Sequence, residues 1–169
     1  MGSHHIHRAK GPASLKVAVL SISTTRTLDE DVSGQWIVKR AIREGHPVVA
    51  HQMVTDAVTA IRQALTRLME EPSPQAIIMT GGTGITARDV TFEAVKPLLS
   101  KELTAFGPIF SQLSFEQVDS AALLSRATAG VMDQCLVFCL PGSLKACQLA
   151  CKALIFPELG HLYGHICER

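Results

Sequence analysis

The stretch Gln75-Ala76-Ile77-Ile78-Met79-Thr80-Gly81-Gly82-Thr83-Gly84 decides the fold. Gln75 to Thr80 is a short apolar run of the length of a strand buried on both faces. Gly81-Gly82-Thr83-Gly84 then breaks it sharply, and a helical pattern resumes at Val90 to Leu99, with Pro97 its weak point. Upstream, Lys16 to Ser23 is a second near-continuous apolar, β-branched run. Gly34 to Glu44 carries helical spacing that stops at Gly45. His46 to Val54 reads as a strand, and Thr55-Asp56 as the N-cap of a helix striped by Ile61, Leu65 and Leu68 and ended by Pro72 and Pro74. Downstream, Phe106 to Phe115 reads as helix. Ala127 to Met132 and Cys135 to Leu140 read as strands joined at Asp133-Gln134, and Leu144 to Leu154 and Pro157 to Cys167 as two helices.

Strands alternating with helices predict a three-layer αβα domain around a mainly parallel sheet, with a small antiparallel strand pair near residues 127–140. Residues 1–14 are expected to be a flexible N-terminal segment and 15–169 a single domain. In such sheets ligands sit beyond the carboxyl ends of the strands. That rule selects Ser21 to Arg26, Thr55-Asp56, Thr80 to Asp89, and Pro141 to Lys145, which should converge on one edge.

The composition fits one globular domain: 169 residues, 47% hydrophobic and 18% charged. Sixteen basic and fifteen acidic residues leave a charge of +1, which argues against a broad nucleic-acid footprint or an electrostatic membrane anchor. No apolar run is long enough to span a bilayer. Met1 to Arg8 lacks the apolar core of a signal peptide, so the expected compartment is the cytoplasm. The five cysteines, Cys135, Cys139, Cys147, Cys151 and Cys167, read as small core residues. A zinc site pairing Cys147/Cys151 with His161/His165 is the less favoured alternative, since the spacings differ from known zinc patterns. Met53, Met69 and Met79 read as core filler.

The strand-end loops carry the chemistry. Gly81 to Gly84 can turn successive N–H groups toward an anion. Asp89 is either a helix N-cap or a carboxylate that shares a cation with a bound phosphate, and magnesium suits that arrangement. Asp56 has the same ambiguity. Pro141-Gly142-Ser143 opening a helix, with Lys145 on its first turn, is a second candidate anion site. Arg126 reads as a solvated surface charge. Gly82 to Ala87 also fits the dinucleotide pattern G-x-G-x-x-G/A, which would suit an NAD(P)-binding oxidoreductase. That fingerprint wants an acidic strand end about 20 positions on, and Ser100 to Leu103 shows no strand. Walker A and G-x-S-x-G motifs are absent. Two phosphate cradles, two carboxylates and a few basic side chains suit a phosphorylated ligand with magnesium.

Thr80-Gly81-Gly82-Thr83-Gly84-Ile85-Thr86-Ala87-Arg88-Asp89-Val90-Thr91 resembles the TGGTG…RDVT signature of molybdenum cofactor biosynthesis proteins of the MoaB/MogA type. Asp31-Val32-Ser33-Gly34 resembles their DTSG, Leu124-Ser125-Arg126-Ala127 their LSRA, and Leu140-Pro141-Gly142-Ser143 their LPGS. The resemblance runs from about Leu15 to Leu162. Leu113 to Glu116 and the ending after Pro157-Glu158-Leu159 look like the B branch of that family, as does the polar start His4 to Lys10. The resemblance implies a homotrimer or a homohexamer of two trimers, and a reaction of molybdopterin with ATP and Mg2+ to give adenylyl-molybdopterin and pyrophosphate. It puts the family's important aspartates at Asp56 and Asp89, and its molybdopterin loops at Gly81 to Gly84, Ser125 and Pro141 to Ser143. Thr80 and Lys145 complete the candidate substrate contacts. The implied roles are Asp89 as a magnesium ligand and Asp56 as a second ligand or orienter of the same ion. A non-catalytic molybdopterin carrier is the alternative. Three positions depart from the pattern: Thr24 where Asp or Asn is common, Val32 in DTSG, and Phe106-Gly107-Pro108-Ile109-Phe110-Ser111 in place of FGE-x-FR.

Overall fold

A computed structural model describes residues 11–168; of the expected flexible segment, residues 1–10 lie outside that range. Six strands form one sheet: β1 (Val17–Ile22), β2 (Val48–Val54), β3 (Ala76–Thr80), β4 (Lys101–Glu102), β5 (Thr128–Met132) and β6 (Cys135–Leu140). Their order is β2-β1-β3-β6-β5-β4. The pairs β1/β2, β1/β3 and β3/β6 are parallel, and β5 runs antiparallel to both neighbours. The helices are α1 (Val32–Arg43), α2 (Val58–Glu70), α3 (Thr91–Val95), α4 (Phe106–Val118), α5 (Leu144–Ala150) and α6 (Phe156–Cys167). No helix among the described residues is long and apolar enough to cross a membrane.

The apolar runs of β1, β3 and β6 are buried along their whole length because alternate side chains enter two different cores. Val17, Val19, Ile78 and Phe138 pack with Ile37 and Ala41 of α1, Phe110 of α4, and Cys147 and Ala150 of α5. Ala18, Leu20, Ile77 and Val137 pack on the other face with Ile61, Leu65 and Leu68 of α2 and Val95. Each fully buried leucine or isoleucine contributes about 1.5–3 kcal/mol, so both helical layers are held by the same three strands. Cys135, Cys139, Cys147 and Cys151 are buried, whereas Cys167 is exposed, against the core reading for all five. Burial pushes Cys135 and Cys139 up to about 12. Met79 is core, while Met53 and Met69 are half-buried.

Several elements differ from the sequence expectation. The expected helices at 144–154 and 157–167 are one continuous rod, joined by a π-helical turn at Cys151–Ile155. Phe156 N–H reaches back five residues to Cys151 O, and this wider turn accommodates Pro157, which has no N–H to offer. The helix expected over Val90 to Leu99 is cut to α3 and a 3-10 turn at Lys96–Leu98 that carries Pro97. A strand does exist at Lys101–Glu102, where none was legible, but it lies at the edge of the sheet three places from β3. Glu102 there accepts from Thr128 Oγ1 and pairs with Lys96. The loop from Gly81 to Val90 also runs past the dinucleotide pattern before any helix begins. The NAD(P) reading therefore loses its acidic partner and its helix start.

His46 is buried against Phe156, and its Nδ1 accepts the Leu15 N–H at 3.2 Å, so the ring is held neutral. Burial lowers its pKa, with Glu44 opposing in part. The unfolded chain takes up the proton near the ordinary value of 6.5, and the folded chain only below it. The stability tied to this neutral ring is thus present above that value and lost as pH falls through it. Lowering the pH from about 7 to about 5 should cost a His46→Gln variant less unfolding free energy than the parent. Denaturant melts at the two pH values check this.

Candidate functional site

The parallel register sets the site. Ile22 pairs with Val54, Ser21 with Thr80, and Thr80 with Leu140, so β1, β2, β3 and β6 end at one level. The four loops that follow converge as expected. They enclose an open cleft of about 390 Å3. Its walls include Thr24, Arg26, Asp56, Arg88, Asp89 and Gly142, with Gly81 to Gly84 across its floor.

The glycine loop is built for close approach. Gly81 has φ +104° and Gly82 has φ +62°. Gly81 N–H donates to Leu140 O, while Thr91, fully buried, donates its hydroxyl to Gly81 O and its N–H to Gly82 O. The loop is thereby latched to β6 and to the start of α3. With Gly81 committed to Leu140 and Gly84 helping to hold Asp89, the N–H groups of Gly82 and Thr83 are the ones with no partner among the described residues.

Asp89 does not cap a helix. The cap position is Val90, which makes no side-chain cap bond. Asp89 instead turns back on its own loop, where Oδ2 accepts from Thr86 N–H at 2.9 Å and Thr86 Oγ1 at 2.6 Å. The Thr86 hydroxyl chiefly holds this carboxyl below the usual range; burial opposes, and the Thr86 and Gly84 N–H groups add to the lowering. Asp56 is not a cap either, since Ala57 holds that place. Asp56 Oδ2 accepts the Thr24 hydroxyl at 2.7 Å, and Thr24 Oγ1 accepts the Asp56 N–H. Thr24, one of the departures from the family pattern, is thus the residue that orients Asp56.

Behind the cleft lies a buried polar cluster that the sequence reading touched only as a motif. Asp31 caps α1 by accepting from Gly34 N–H, and also accepts from the Ser21 hydroxyl and contacts His51 Nε2 at 3.0 Å. Burial pushes the Asp31 carboxyl up, but the bonds from Ser21, Gly34 and His51 outweigh it and leave it below the usual range. Ser33, on the first turn of α1, donates its hydroxyl to Gly142 O at 2.9 Å, tying α1 to the loop after β6.

The remaining candidates divide. Thr80 is buried and points inward, donating to Pro141 O, so it braces two loops from below. Pro141 and Gly142 line the cleft, whereas Ser143 caps α5 by accepting from Ala146 N–H and Lys145 lies exposed on the first turn. Ser125 lines a neighbouring groove of about 720 Å3 with Phe92, Pro108, Phe115 and Leu123. Arg126 is not a solvated charge. Its Nε donates to Thr83 O at 2.8 Å, and its guanidinium lies 4.6 Å over the Phe92 ring. Arg26 and Arg88 are the cleft cations the sequence reading left unassigned; their signal was their place in strand-end loops.

The donor set fits magnesium. That ion takes one or two carboxylates, leaves the rest to phosphate and water, and needs no protein cage. Asp56 and Asp89 face one cleft, each with one oxygen held by a threonine hydroxyl. Among the described residues no group of three His, Cys, Asp or Glu side chains forms a metal cage, and the zinc alternative fails because Cys147 and Cys151 are core residues.

Residues 18–161 match the family described as "Probable molybdopterin binding domain". The chain is 41% identical over 161 residues to molybdenum cofactor biosynthesis protein B of Bacillus subtilis (strain 168), covering 95% of each chain. A crystal structure of molybdenum cofactor biosynthesis protein B superposes with a TM-score of 0.88 at 40% identity, covering 92% of this chain and 97% of that one. The tungsten cofactor synthesizing protein MoaB from Pyrococcus furiosus superposes with a TM-score of 0.84 at 34% identity, covering 93% and 99%. Fold, strand-end motifs and near full-length identity agree, and the chain belongs to the molybdopterin-binding domain family of molybdenum cofactor biosynthesis proteins.

Proposed function

We propose that the protein binds molybdopterin in the cleft and adenylylates it with Mg-ATP, giving adenylyl-molybdopterin and pyrophosphate. The observation that carries this reading is the placement of two carboxylates, Asp56 and Asp89, in one cleft with a glycine loop whose Gly82 and Thr83 N–H groups have no partner among the described residues. The attacking group is a phosphate monoester oxygen, largely ionised at neutral pH, so no general base is needed. The obstacle is bringing that anion against a triphosphate, and the rate comes from positioning and charge neutralisation. Gly82 and Thr83 N–H groups, with Arg26 and Arg88, would hold phosphate oxygens. Asp56 and Asp89 would hold magnesium, which neutralises the developing charge when bound.

Incubation with molybdopterin, ATP and magnesium tests this. Pyrophosphate should appear only when all three are present. Binding of molybdopterin without pyrophosphate would favour the carrier reading, and the absence of both would end the proposal. A cytoplasmic location goes with the use of ATP. A homotrimer or homohexamer is also proposed; it would cover Phe115, Leu123 and Leu124, which are 52%, 83% and 60% exposed in the single chain. Light scattering should give three or six chains per particle.

A further inference from the structure

His161 and His165 belong neither to the cleft nor to the buried core. They stand one turn apart on α6, with ring centroids 4.7 Å apart and Nε2 atoms 2.9 Å apart. The far nitrogen of each ring faces a carboxylate. His161 Nδ1 lies 3.2 Å from Glu158 Oε2, and His165 Nδ1 lies 3.1 Å from Glu168 Oε2. An ionised carboxylate only accepts hydrogen bonds, so each Nδ1 carries its hydrogen. Both Nε2 atoms then turn lone pairs into the same gap. Two lone pairs this close need a positive centre between them, which a proton or a metal ion supplies.

The distance suits a metal ion. Imidazole nitrogens bind such ions at about 2.0–2.1 Å, so two of them at a right angle stand about 2.9 Å apart. Carboxylates on the outer nitrogens are the partners that fix the tautomer of metal-bound histidines. We propose that His161 and His165 chelate one divalent transition-metal ion through their Nε2 atoms, with Glu158 and Glu168 as positioning residues and water in the other coordination places. The right angle matches tetragonal Cu2+ or octahedral Ni2+ better than tetrahedral Zn2+, and the general affinity order puts Cu2+ first. The site is independent of the cleft: His161 lines a separate pocket with Pro12, Glu44 and His46, none of which lines the cleft.

Titration calorimetry with Cu2+, Ni2+ and Zn2+ tests the proposal. The full chain should carry His4→Ala, His5→Ala and His7→Ala, so that the other terminal imidazoles cannot contribute. One ion per chain should bind, Cu2+ most tightly. His161→Ala or His165→Ala should each weaken Cu2+ by about 100-fold, and Glu168→Gln by about 10-fold. Electron paramagnetic resonance of the Cu2+ form should report two nitrogen ligands in the parent and one in either alanine variant. Unchanged affinity in both alanine variants, or loss of binding in the triple-alanine parent, would overturn the assignment. Far-UV circular dichroism checks that α6 stays folded.

Discussion

Asp89→Asn is expected to cut pyrophosphate release by about 100- to 1,000-fold while molybdopterin still binds. The variant is informative because of how Asp89 sits. Its Oδ2 accepts from both the N–H and the hydroxyl of Thr86, and an asparagine oxygen can accept there too. The loop keeps its anchor and only the charge is lost. An amide NH2 aimed into the cleft cannot serve a hard cation. Thr86→Val supplies the complementary test. The Thr86 hydroxyl is the main reason the Asp89 carboxyl lies below its ordinary 3.8. A depressed carboxylate keeps its charge until the pH falls through its folded value. Removing the hydroxyl should therefore move the acid limb of the pH–rate profile to higher pH, with little change at neutral pH. Wild-type turnover by Asp89→Asn would remove Asp89 from the metal-binding role.

Gly81→Ala should be the most destabilising single methyl in the site. At φ +104° an added Cβ would stand 2.3 Å from Ile22 O, a backbone atom of strand β1, which is paired on both sides by β2 and β3. Neither side can yield, because Gly81 N–H is bonded to Leu140 O and Gly81 O accepts from Thr91. The cost should be about 4 kcal/mol, from left-handed backbone and clash together. Gly45→Ala separates the two parts. Gly45 has φ +85° but nothing within 4 Å of its would-be Cβ, so it should lose only roughly 1–2 kcal/mol. Urea unfolding of the two variants measures the difference. Equal losses would mean that the contact with Ile22 relaxes.

The middle of the sheet was legible because β1, β3 and β6 are buried on both faces and so read as near-unbroken apolar runs. The four loops followed from strand direction alone, and Asp56, Gly81 to Gly84 and Asp89 do meet there. Finer features were hidden for physical reasons. Thr86-x-x-Asp89 and a helix cap share the same spacing, so sequence could not say which N–H groups Asp89 holds. Lys101–Glu102 is a strand only because Val131 and Gly130 lie opposite. Arg126 reads as surface until Phe92 and Thr83, far off in sequence, come beneath it. Ser125, Ser143 and Lys145 belong to motifs that reach the cleft, yet their own side chains face the neighbouring groove, the helix start and solvent.

Arg126 lines the larger groove and at the same time grips the carbonyl of Thr83 in the glycine loop. Anything that seats in that groove and favours one setting of the guanidinium must favour one setting of the loop. Linkage then requires the reverse with equal strength: a guest on the loop alters the affinity of whatever fills the groove by the same factor.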